Sequence, residues 1–454
     1  MMKYDKEMYL SKEYQHWIKS RTIFTWLAFS MILLYAMEQQ CTKYFLMYYI
    51  QDRFGLTEHN AVIFYSISEA IYAIAQITGG IVLGRYSDRT RNMKKVVLIA
   101  MLVSFVGNTF YVWHVNLFLV VIGRALMGFT ECVNTAVVGE LRRGYNDEPA
   151  KGRSVITWYE IAFQVGQNIG AGLPVLFTTV NLKIGFWKLD QLNMMNFILS
   201  IFCLIVAIIS FFKAIDLSKE LDIIKSKYVV SKDDNEMNEN GVEKTSKNLM
   251  KWSELFQIDI ILLCLIYSLA RYAVGTSVSS LTILLPLKYH WSLNDMLVLL
   301  MCTNCATSLT IIALVKIGLL KNQTRSFYLY ILSMVLCSVI VTSLMLTEIG
   351  LLTSFAKQAV FFAFLTASKN FLASLTKITN TVLLLQLVKP QDSGFILGVR
   401  TVAGTSFKGL AFLLSSISSK YPDYHSPGLA LVILLTVVLI LYRRNVHLKN
   451  YKNE

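Results

Sequence analysis

The sequence predicts an all-α polytopic membrane protein, twelve transmembrane helices in two pseudo-symmetric six-helix halves, and three observations carry that reading. The 454-residue chain is 55% apolar and only 16% charged, with a mean hydropathy of +0.50, too apolar for a soluble chain of this length. Apolar windows of about 20 residues, the length that crosses a ~30 Å hydrocarbon core, recur along it. One polar stretch divides them six and six.

The first six windows fall near 23–50, 60–84, 96–113, 117–140, 154–180 and 192–213, and the second six near 257–287, 293–316, 326–347, 354–388, 395–419 and 427–443. The chain therefore divides into an amino-terminal tail at 1–22, a bundle at 23–213, a linker at 214–252, a second bundle at 253–443 and a tail at 444–454. The linker is rich in Lys, Asp, Glu and Asn and poor in aromatics, which predicts part amphipathic helix and part disorder. No small-residue cleavage site follows the first window, so that span is expected to stay in the chain as an anchor.

The formal charge of +14 does not make a nucleic-acid face, because the cations come in short bursts between apolar windows. With the amino terminus cytosolic, the tails and even-numbered connections hold about 30 Lys and Arg and the odd-numbered ones about 5, the asymmetry of the positive-inside rule. Both termini are then cytosolic. Asn322, the one N-x-S/T acceptor, falls on the cytosolic side and is expected to carry no glycan.

The densest burst, "GRYSDRTRNMKK" at 84–95, holds five cations and one acid and links spans two and three. A carboxylate just ahead of a helix accepts backbone N–H bonds and favours the positive end of the helix dipole. Asp88 can act so, with Arg89 and Arg91 pairing with it or with a neighbouring helix end. The cluster is either a latch between two halves or a solvated topogenic loop.

This loop resembles the one between spans two and three of the major facilitator superfamily, with Gly84, Asp88, Arg89, Lys94 and Lys95 matching and Arg91 standing where the family usually has Gly. Arg124 and Gly128 in "GRALMGF" are similar to the span-four signature, and "GQNIGAGLP" from Gly166 to Pro174 resembles the span-five glycine run. The corresponding second-half loop, "KIGLLKNQTR", departs from the pattern. Within the superfamily, "GRSVITWYEIAFQVGQNIGAGLP", "KLDQLNMMNF" and "QDSGFILGVRTVAG" resemble the lysosomal membrane protein of the neuronal ceroid lipofuscinosis group. The amino-terminal tail lacks an acidic dileucine of the kind that directs such proteins to lysosomes. The resemblance implies two bundles rocking about a midplane site by alternating access, in an endolysosomal membrane with the plasma membrane as the alternative.

Charges inside spans mark such a site, each costing about 2.5–3.5 kcal/mol at a helix centre on insertion scales. The first half holds Glu38, Glu69, Glu131 and Glu160 with Lys43 and Arg124; the second holds only cations, Arg271, Lys369, Lys377, Arg400 and Lys408, with Lys357 nearer a span end. Acid facing base predicts an anionic solute held by Arg271, Lys369, Lys377, Glu38 and Gln39, with proton coupling assigned to Glu131, Arg124 and Glu69, a carboxylate carrying the proton. Structural ion pairs are the alternative. Arg124 and Glu131 stand seven residues and about 10 Å apart along one helix, so each requires a partner elsewhere. Gly84, Asp88, Arg89, Glu160 and Arg400 are assigned to gates or latches.

None of the six histidines lies mid-span, and four of them, His59, His114, His290 and His425, fall in non-cytosolic connections. Cys302 and Cys305 lack the second pair of a zinc site and read as helix packing. No phosphate-cradling loop, HExxH or GxSxG occurs, which excludes the corresponding enzyme classes and leaves no cofactor or metal implied. The expected partners are a small anion, protons and the bilayer, with no nucleic acid. Coupled transport of an anion leads; a passive anion pathway and a non-transporting sensor or scaffold are the alternatives.

Overall fold

The computed structural model describes residues 6–113, 115–185, 187–227, 257–317, 354–418 and 434–442. The predicted span at 326–347, the start of the one at 427–443, most of the linker, the extreme termini, Asn322, His114 and His425 lie outside the described residues.

A one-turn helix α1 (Lys6–Leu10) leads into α2 (Lys12–Phe54). Ser11 caps α2, its hydroxyl accepting the Tyr14 N–H at 3.1 Å. Tyr14, Trp17, Arg21, Phe24, Ala28 and Met31 then recur at three and four residues as one buried stripe. Residues expected to form a tail are thus a continuation of the first membrane helix. Gly55 ends it in the left-handed conformation at φ 61°, where a Cβ would be strained.

Next come α3 (Glu58–Thr90), α4 (Met93–Val112), α5 (Leu117–Glu131), α6 (Val133–Gly144), α7 (Pro149–Gly172), α8 (Met194–Lys213) and α9 (Leu217–Lys227). The fourth predicted span is interrupted at Cys132, between α5 and α6. The fifth stops at Gly172 instead of residue 180, because Pro174 has no N–H and its ring collides with the carbonyl four residues back. A 3₁₀ turn (Leu173–Phe177) and an antiparallel hairpin of β1 (Asn181–Ile184) and β2 (Trp187–Asp190) follow, with Ile184 opposite Trp187. Arg53 at the end of α2 pairs with Asp190 and ties the hairpin down.

The second group consists of α10 (Ile258–Tyr289), α11 (Leu293–Ile317), α12 (Phe355–Leu387), α13 (Ser393–Ser418) and helical residues 434–442. Nine helical segments among the described residues are long and apolar enough to cross a membrane. They expose Ile74, Phe118, Phe212, Val360 and Phe364, which face lipid once the chain is in a bilayer. α7 is not one of the nine. Its Glu160, Gln164, Gln167 and Asn168 make it too polar, and these side chains are wholly or partly buried against other helices.

The amphipathic helix expected in the linker is α9. Its Leu221 and Ile224 pack on Met8, Tyr14 and Trp17, and the Trp17 indole donates to the Leu217 carbonyl at 3.1 Å. Glu140 receives both the N–H and the hydroxyl of Ser218, at 2.7 and 2.9 Å, and so caps the start of the helix. The first group (α1–α9) meets the second along two seams, α3 against α13 and α7 against α11.

Candidate functional site

Three polar assemblies lie between and within these groups. The first is closed on itself. Arg124 of α5, fully buried, donates to Glu38 of α2 at 3.3 Å and to Glu69 of α3, and its guanidinium lies 4.2 Å from the centre of the Tyr72 ring. Thr42 donates to Glu38 at 3.0 Å, and Asn196 reaches Thr42 and Asn108 at 3.1 and 3.2 Å. Glu38 and Glu69 were expected at the solute and proton sites, yet neither lines the cavities described below. They neutralise a cation of their own group.

The second assembly surrounds Glu131. Gln39 donates its amide to both carboxylate oxygens, at 3.1 and 3.0 Å, and Tyr72 donates its hydroxyl to one of them. The Gln39 carbonyl accepts from Gln167 of α7 at 2.5 Å. Arg124 does not reach Glu131. Both obtain partners from other helices, as the axial spacing requires. Glu131 instead borders a small void, about 30 Å³, with Gln76, Asn134, Arg271, Lys377 and Arg400.

The third assembly is the cavity between the groups. Its volume is about 60 Å³, room for a few waters. Lys43 and Gln40 enter it from α2, Gln164, Gln167 and Asn168 from α7, Tyr267 and Arg271 from α10, Asn304 from α11, Asn370 and Lys377 from α12, and Lys408 from α13. Among the described residues, Lys43, Arg271 and Lys408 form no ion pair and no hydrogen bond. Lys43 and Lys408 meet only aromatic faces, sharing the Phe412 ring at 5.2 and 5.8 Å. Lys369, buried nearby on α12, has an ammonium with no hydrogen-bond partner among the described residues.

Lys377 is different from its neighbours. It forms an ion pair with Glu160 of α7 at 3.0 Å across the seam and sits 3.1 Å from the centre of the Phe163 ring. Thr381 donates to Glu160 at 3.2 Å and receives Arg400 at 2.5 Å. Glu160 and Arg400 are therefore joined through Thr381, and Lys377, expected to hold solute, is already neutralised.

The 84–95 loop closes one end of the seam. Asp88 lies in the last turn of α3 and accepts the Phe395 N–H at the start of α13 at 2.6 Å. Its cation is Arg143, at 2.5 Å, while Arg89 is exposed and takes no part. Arg143 had no sequence signal beyond its place in "GELRRG". Arg142 adds bonds to Ser393 and the Val388 carbonyl at 2.7 and 2.6 Å. The backbones meet at Gly84 and Gly394, where a Cβ on Gly84 would lie 2.8 Å from the Gly394 carbonyl oxygen. Arg91, where glycine was expected, is left-handed at φ 52° and pairs with Asp222 of α9. Cys302 and Cys305 are exposed on α11 and do not pack between helices.

A polytopic helical fold with a polar cavity enclosed between two helix groups defines a multi-pass membrane transport protein. A family model described as Major Facilitator Superfamily matches residues 27–412, and the chain belongs to that superfamily. No curated protein sequence matches it. The crystal structure of the human organic anion transporter MFSD10 (TETRAN) is similar in fold, with a TM-score of 0.62 at 12% identity over 92% of this chain and 99% of that one.

Proposed function

We propose that the protein is a secondary transporter that moves a small anionic solute by alternating access, with a proton carried on Glu131. The observation that carries this reading is the cavity itself: Lys43, Arg271 and Lys408 border it without a bonded acid among the described residues. An uncompensated buried cation is costly, and an anion entering between the groups relieves the cost in that state alone. The description of the structural relative as an organic anion transporter agrees. In this reading both termini and the Asp88 latch face the cytosol, and the two groups rock as six-helix bundles. The motif resemblance favours an endolysosomal membrane.

The chain from Gln167 through Gln39 to Glu131 supplies the coupling. Gln167 borders the solute cavity, and Gln39 donates to both carboxylate oxygens of Glu131. A protonated Glu131 offers fewer acceptor sites, so Gln39 turns and releases Gln167. Glu131 is faced by Tyr72 from α3, Gln39 from α2, Asn134 from α6, Arg271 from α10, Lys377 from α12 and Arg400 from α13, with Lys408 in electrostatic range.

Purified protein in proteoliposomes, given candidate anions under imposed pH and voltage steps, tests the reading. Glu131→Gln should abolish accumulation driven by a pH gradient while preserving anion exchange. A passive pathway predicts unchanged flux in that variant, and a scaffold predicts no flux in either protein.

A further inference from the structure

The buried charges of the central region do not balance. Its carboxylates are Glu38, Glu69, Glu131 and Glu160; its cations are Lys43, Arg124, Arg271, Lys369, Lys377, Arg400 and Lys408. With every acid ionised and every lysine protonated, four carboxylates face seven cations, an excess of three positive charges. The bonded pairs do not dispose of this excess. Arg124 belongs to Glu38 and Glu69, and Lys377 to Glu160, which leaves Lys43, Arg271, Lys369, Arg400 and Lys408 without a bonded acid among the described residues, Arg400 bonding the Thr381 hydroxyl. The two predicted spans at 326–347 and 427–443 contain no Asp or Glu, so they cannot supply the missing negative charge.

Six further lining residues can bond oxygens. Gln40, Gln164, Gln167, Asn168, Asn304 and Asn370 place amides around the cavity. Amide N–H groups and ammonium ions can together satisfy several oxygens of one compact ligand. The space is small, which favours a compact ligand over a ring or a long chain, and Tyr44, Tyr267, Val274 and Val278 also form part of its wall. A single negative charge would leave at least two of the cations uncompensated in a water-poor site.

We infer that the cavity selects a compact multivalent oxyanion, a dicarboxylate or an inorganic phosphate or sulfate, held between Lys43 of the first group and Arg271 and Lys408 of the second. This rests on the anion-transport reading above and adds the valence and size of the solute. Lys369 stands behind the site and adds to its field without bordering the cavity. Because the three contacting cations come from both groups, a doubly charged ligand bridges the groups, and a singly charged one cannot neutralise both sides at once.

The full-length purified protein, in detergent for binding and in proteoliposomes for counterflow, decides the matter. Succinate, inorganic phosphate and sulfate are compared with acetate and chloride at fixed ionic strength. The divalent ions should bind at least ~10-fold tighter than the monovalent ones. Lys43→Gln and Lys408→Gln should each weaken divalent binding at least ~10-fold and monovalent binding less than about threefold, with Lys408→Arg restoring most of the loss. Succinate alone responding identifies a carboxylate site, and phosphate or sulfate alone identifies a tetrahedral one. Equal affinity for monovalent and divalent ions, or equal losses for both in the glutamine variants, overturns the valence inference and leaves anion transport standing. If none of the five anions binds or moves, both readings fall together.

Discussion

Arg124 and Lys408 are both buried cations at the centre of the molecule, but they are satisfied in opposite ways. Arg124 has two carboxylates and an aromatic face from its own group. Lys408 has aromatic rings and a cavity. A saturated charge holds helices together, whereas an open one keeps the free energy of its neutralisation for a ligand. Charge inside a membrane helix therefore marks a site only when its partner is missing.

The largest effect separates the two residues directly. Arg124→Met leaves Glu38 and Glu69 buried without their cation, and the loss of stability should be about 3–5 kcal/mol, read as a fall in the thermal midpoint and in the yield of folded protein. Lys408→Met should act in the other direction. Replacing an uncompensated buried ion by an apolar side chain should stabilise the ligand-free protein by about 1–4 kcal/mol while removing transport. If both substitutions destabilise to the same degree, the distinction between saturated and open cations fails.

Asp88 provides an intermediate case, an acid of the first group whose partners span both groups. Asp88→Asn loses the charge on hydrogen bonds from Arg143 and the Phe395 N–H, worth about 1.5–3 kcal/mol. Amide exchange across residues 388–395 should then accelerate by ~10–100-fold. Unchanged exchange would mean that glycine packing alone closes the latch.

The smallest expected effect lies at Arg91, where backbone and charge oppose each other. Arg91→Gly relieves the left-handed residue by about 1 kcal/mol and gives up a surface ion pair worth about 0–1 kcal/mol. A net gain below about 1 kcal/mol is expected. Arg91→Ala keeps the strain and loses the pair, so it should be less stable than the parent. The ordering glycine, arginine, alanine is the check.

Much of this was legible in the residues, for identifiable reasons. Apolar windows and burst-like cations predict membrane-crossing helices because hydrocarbon tolerates few other backbones. Pro174 was visible too, but its power to end α7 was outweighed in a window average by the apolar residues around it. The polar stripe from Glu160 to Asn168 could be seen as well; that it lines the cavity between the two helix groups could not, since a polar face only needs some partner away from lipid. Arg143 replaced Arg89 at Asp88 because the two arginines differ in direction, which neighbouring sequence does not specify.

The sequence by itself determined the solvent this protein lives in, its helical class, its superfamily and the inventory of charges it must bury, because each follows from composition and local spacing. Only the tertiary structure decided which charge meets which. Glu38 and Glu69 turned to Arg124 and Glu160 to Lys377, while Lys43, Arg271 and Lys408 were left facing a shared cavity. The physical reason is range: pairing inside a low-dielectric core is settled within a few ångströms, by helices whose contacts are distant in sequence.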